Sequence, residues 1–143
     1  ACFAFLFGVW DIWYYIWLKV FLGWPASLLT WDILFLIPVA WIGPVLAPVL
    51  VSLLLVAGSL WAMRILDRGG RIDPDLYDWA AAVVGAVIIL YTFMSDVVSQ
   101  LSSGGVEAVL AFVPSAYSWP IFLVGYALMV ASAVRIGFRA RAA

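Results

Sequence analysis

Apolar residues gather in four long runs, and proline, glycine and charge break them apart. The runs cover residues 1–22, 43–66, 76–98 and 119–137. Crossing a ~30 Å hydrocarbon core takes about 20 helical residues, so each run predicts one membrane-spanning helix. The fold class expected is an all-α, integral membrane bundle of about four helices in a single domain, 1–143.

The breaks predict local structure. Gly23-Trp24-Pro25 ends the first run. Residues 23–42 then read as a connection lying at the membrane surface, not a fifth span. A short interfacial helix is expected in it before Pro38, with Thr30 as cap and Asp32 in the first turn. Gly43-Pro44 predicts the start of the second span, with a bend at Pro48. Asp73-Pro74-Asp75 predicts the start of the third, with Asp73 as cap. Residues 99–118 read as a flexible turn with a short surface segment, and Ser118-Trp119-Pro120 opens the last span. Four-apart small residues, including Gly58 and Ala62, Ala81 and Gly85, and Ala133 and Gly137, suit close helix packing.

Composition strengthens the membrane reading. Of 143 residues 68% are hydrophobic and 10% charged, and the mean hydropathy is +1.17. Too few polar side chains exist to surface a soluble domain, and the net charge of -1 gives no basic field for nucleic acid. Histidine is absent, which removes His-ligated haem, catalytic triads and most transition-metal sites. No catalytic or metal site is expected. No cofactor is required, and a bound lipid, quinone or pigment would be held without histidine ligation. Cys2 is the only cysteine, so no intrachain disulfide forms.

The bases predict orientation. Arg64, Arg68 and Arg71 flank the loop after the second span, and Arg135, Arg139 and Arg141 end the fourth; Lys19 alone falls on the other side. The positive-inside rule makes the six arginines topology anchors and the C-terminus cytoplasmic, in a bacterial inner membrane. Asp67-Arg68-Gly69-Gly70-Arg71 resembles part of the cytoplasmic loop signature of major-facilitator transporters. Met63 stands where that signature has glycine, and Ile72 where it has its next base. Those transporters have about twelve helices, so the run reads here as a tight basic turn.

The first run carries the remaining candidates. Trp10, Trp13 and Trp17 recur at helical spacing and Tyr14 extends their stripe, which suits contact with lipid or with a partner. Asp11 is the intramembrane charge candidate. The chain opens at Ala1 inside an apolar run, so residues upstream are expected; these would put Asp11 at the interface, whereas a helix starting at Ala1 puts it mid-membrane.

The function expected is that of a small non-enzymatic membrane protein. It would be an accessory or structural subunit packing against other transmembrane subunits of a larger energy-converting complex, photosynthetic or respiratory. The alternative is a small oligomeric transporter or channel, its polar groups drawn from Ser52, Ser59, Thr92, Ser95 and Ser132 besides Asp11 and Asp96.

Overall fold

The computed structural model describes residues 1–140; Arg141, one of the six topology anchors, lies outside the described residues. The order of elements is α1 (Cys2–Leu22), β1 (Trp31–Phe35), β2 (Trp41–Pro44), α2 (Leu46–Asp67), α3 (Leu76–Ala111) and α4 (Trp119–Ala140). Among the described residues, four helices are long and apolar enough to cross a membrane. At ~1.5 Å per residue, α1, α2 and α4 each reach ~32 Å.

The breaks act through backbone chemistry. Gly23 takes φ 68°, a left-handed conformation free of strain only for glycine, and its N–H donates to Lys19 O at 3.1 Å. The Lys19 ammonium then donates to the carbonyls of Gly23 at 3.3 Å and Pro25 at 2.8 Å, so a cation caps the negative end of the helix dipole. At the start of α3 the cap is Asp75, two residues later than the Asp73 expected. Asp75 accepts from the Asp78 N–H at 3.0 Å, and Asp78 accepts from the Asp75 N–H at 2.9 Å. This reciprocal pair satisfies two donors that a helix start otherwise leaves open. It also explains the displacement, because only Asp75 has a second acceptor three residues downstream.

The largest departure from the expected fold lies between α1 and α2. The all-α expectation fails there, since the short interfacial helix is replaced by an antiparallel hairpin. Trp31 pairs with Pro44, Asp32 with Gly43, Ile33 with Ile42 and Phe35 with Trp41, with an irregularity between Ile33 and Phe35. The segment contains Trp31, Ile33, Phe35, Ile37, Trp41 and Ile42, branched and aromatic residues that favour a pleated surface. Pro38 forbids a continuing helix through its centre. Thr30 caps no helix; its carbonyl accepts from the Val45 N–H at 3.0 Å and helps close the hairpin.

Two other expectations shift. Because α2 begins at Leu46, Pro48 falls in its first turn, where an N–H has no intrahelical partner, and the bond expected to be lost is not. α3 runs past Val98 to Ala111, interrupted at Gly105, whose φ of 66° and ψ of −157° are non-helical. So the expected flexible turn is mostly helix, and the irregular connection shrinks to 112–118.

α1 packs on α2, α3 on α4, and α2 on α4 joins the two pairs. Lipid is as apolar as leucine, so close fit and hydrogen bonds hold spanning helices together rather than water exclusion. Gly85 lies against Gly125, where a Cβ on Gly85 would meet Gly125 O at 2.6 Å. Gly137 lies flat against the Trp61 ring. Gly58 faces open space, so its pairing with Ala62 makes no such contact. Interhelical bonds run from Tyr126 Oη to Leu50 O at 3.1 Å and from Ser132 Oγ to Asp78 O at 2.8 Å. The buried centre is Ala47, Ile89, Phe93 and Phe122.

Candidate functional site

The hairpin overlies a cleft of about 430 Å³ between α1 and α3. Phe7, Trp10, Asp11, Tyr14 and Tyr15 form the α1 wall, and Ala86, Ile89, Leu90 and Phe93 the α3 wall. Ile33, Leu34, Phe35 and Trp41 come from the hairpin, and Pro48, Val51 and Ser52 from α2. The walls are almost wholly apolar, and four polar side chains from three elements converge on them. Ser52 Oγ donates to Asp11 Oδ2 at 2.8 Å. Tyr15 Oη donates to Asp32 Oδ2 at 2.8 Å, and Asp32 Oδ1 accepts from the Ile33 N–H at 2.8 Å.

Helix spacing explains the convergence. Asp11 and Tyr15 are four apart and share a face of α1. Gly8 lies one turn before Asp11 and lets the backbones close: a Cβ there would meet Ser52 O at 2.7 Å. That approach brings the Ser52 hydroxyl to the Asp11 carboxylate. Asp32 reaches the same region because the hairpin, unlike a surface helix, folds back over the bundle.

Asp11 therefore lies halfway along α1 and faces α2 rather than the helix end. The aromatic candidates divide. Trp10 and Tyr14 line the cleft, with stacked rings 5.7 Å apart. Trp13 and Trp17 turn away, tilted at 5.8 Å, and Trp17 stacks on Phe21 at 5.3 Å. All four, Trp10, Trp13, Tyr14 and Trp17, also line a depression of about 470 Å³ along α1, the groove between that helix's own side chains.

Tyr117 anchors the 112–118 connection beside the hairpin. Its hydroxyl bonds Thr92 Oγ1 at 2.8 Å, its ring stacks on Phe93, and Trp31 meets it edge-on. Burial pushes its phenol up to about 12, against a smaller lowering by the Thr92 bond. Trp41 Nε1 is buried and meets no acceptor among the described residues.

The arginines lie at the other end of the bundle. A Cβ on Gly70 would sit 3.6 Å from Ala140 O, so the loop after α2 meets the end of α4. Arg64, Arg68 and Arg71 therefore share an end with Arg135 and Arg139. The last two also bind acids. Arg135 reaches Asp75 at 2.7 Å and Asp78 at 3.3 Å, and Arg139 reaches them at 2.7 and 3.1 Å. The 3.3 Å contact is an ion pair without hydrogen-bond alignment. The Asp78 backbone N–H, and after it the arginines, hold the Asp75 carboxyl below its ordinary value.

Of the hydroxyls expected to line a pore, Ser52, Thr92 and Ser132 are buried and spent on bonds within the bundle. Asp32 is the site residue that sequence reasoning placed elsewhere, and a signal for it existed. Trp10-Asp11-Ile12 recurs as Trp31-Asp32-Ile33, and the structure brings both acids to one cleft. No group of three or more His, Cys, Asp or Glu able to hold a metal occurs among the described residues. No family model, curated protein or solved structure matches this chain.

Proposed function

We propose that the protein is a non-enzymatic, multi-pass membrane protein that holds a small lipophilic molecule in the cleft beneath its hairpin. The observation that carries this is the convergence of Asp11, Tyr15, Asp32 and Ser52 on an otherwise apolar recess of about 430 Å³. Small-molecule sites have this character, apolar walls with few polar groups, and volumes of ~300–1,000 Å³. The base-rich end faces the cytoplasm, by the positive-inside bias. The cleft, at the hairpin end, then lies toward the outer leaflet.

Native mass spectrometry of the chain released from nanodiscs tests this. A small-molecule adduct is expected, lost in Ala86→Phe, which fills the cleft from α3. An unliganded chain that also takes up no lipophilic probe would overturn the reading.

A second reading is docking against other transmembrane subunits through α1. It is favoured by the position of α1 at the edge of the bundle, packed on α2 alone among the helices it chiefly contacts. Trp13 and Trp17 stay half exposed there, at 49% and 50%. In this reading the Trp13→Leu, Trp17→Leu double variant inserts normally but leaves a native-size complex. Retention of the complex would reduce both rings to lipid anchors.

A further inference from the structure

We infer that the ligand of this cleft is an organic cation, a substituted ammonium whose charge lies by Asp11 and Asp32 and whose apolar part lies on the α3 wall. The inference rests on the proposed reading of the cleft as a ligand site and names the chemical class that fits it.

Charge is the first argument. Two carboxylates line the cleft, and no lysine or arginine does among the described residues. Lys19, the base at this end of the bundle, is committed to the Gly23 and Pro25 carbonyls. Asp11 and Asp32 are both partly covered, and a carboxylate drawn even partly out of water gains from a countercharge, because desolvation penalises an isolated ion. The hydrogen bonds from Ser52 and Tyr15 soften that penalty without neutralising either charge.

Acceptor capacity is the second. An ionised carboxylate offers about four lone-pair sites. Asp11 receives Ser52, and Asp32 receives Tyr15 and its neighbour's N–H, so both keep acceptor sites open. The Ser52 and Tyr15 hydroxyls, in contrast, are spent on these acids. The polar side of the cleft therefore favours donors and cations and disfavours anions.

The rings are the third. Trp10, Tyr14, Tyr15, Phe35, Trp41 and Phe93 line the same space. Aromatic faces attract cations through their quadrupole, most strongly where water is excluded, and quaternary ammonium groups are held in this way. A bare metal ion fits poorly, since calcium takes 6–8 oxygen ligands and the walls are mostly carbon.

The test compares two probes of one shape on the full chain in nanodiscs, with empty discs subtracted. Benzyltrimethylammonium carries the charge, and neopentylbenzene replaces its nitrogen with carbon. The cation is expected to bind saturably, at one per chain and at least tenfold more tightly than its neutral counterpart. Asp11→Asn and Asp32→Asn should each weaken the cation about tenfold, and the neutral probe by much less. Equal binding of both probes to the unmodified chain would overturn the cation assignment while the cleft remained a ligand site. Saturable binding of neither would overturn both. The wild-type comparison decides the matter even where a variant fails to fold.

Discussion

The Tyr15 hydroxyl donates to Asp32 Oδ2 at 2.8 Å, and this bond ties the first helix to the hairpin that follows it. The two residues are 17 apart in sequence, and their contact makes the hairpin a roof over the bundle rather than a loose surface connection. A hydrogen bond to a charged acceptor contributes ~1.5–3 kcal/mol.

Tyr15→Phe and Asp32→Asn should therefore each destabilise the detergent-solubilised protein. A double-mutant cycle should give a coupling of ~1–2 kcal/mol by reversible unfolding. Effects that add to within ~0.5 kcal/mol would mean that the two side chains act independently.

The glycines separate packing from propensity. Gly85→Ala drives a methyl into Gly125 O and the Met129 side chain, and should cost ~1–3 kcal/mol through overpacking. Gly58→Ala meets nothing within 4 Å and should be neutral, or stabilising by up to ~1 kcal/mol from helix propensity. Thermal unfolding of the two variants side by side checks this, and equal losses would refute the α3–α4 contact.

Acid should loosen the arginine end of α3. The Asp75 carboxyl titrates lower in the folded chain than its ordinary 3.8. Its contribution is then fully present above pH 3.8 and is lost as pH falls through the lower folded value. Amide exchange in the first turn of α3 should rise in that window. Asp75→Asn should remove this pH dependence, and persistence of the acid response in the variant would assign it to another group.

Sidedness is open to labelling. With Cys2, the sole cysteine, changed to serine, a cysteine at Arg68 should react only from the cytoplasm. One at Ser103 should react only from outside. The reverse pattern would invert the bundle.

Much of the architecture was legible one element at a time. Apolar runs, a proline at 120 and the glycine at 23 are local signals, and backbone sterics with membrane thickness turn them into helices and their ends. Parity alone put both arginine clusters at one end, and the contact of Gly70 with Ala140 agrees. Misplacements arose where two local rules competed. Asp73-Pro74 and Asp75 with Asp78 both suit a helix start, and the reciprocal cap prevailed because it satisfies two N–H groups instead of one.

The hairpin and the cleft belong to a different order of information. Hydropathy marks Trp31–Phe35 as apolar, but an apolar segment of that length suits a helix turn or a strand equally. Pairing with Trp41–Pro44 and the Tyr15 bond decide between them. Asp11 was conspicuous in the sequence as a charge among rings, while its partner Ser52 lies 41 residues away and becomes a neighbour only where Gly8 lets two helices close. Four helices long and apolar enough to cross a membrane, and the sharing of one end by the arginine clusters, were legible from composition and spacing along the chain alone. Tertiary structure decided that two Trp-Asp-Ile segments share one recess, because no local period records which side chains meet when helices and a hairpin pack.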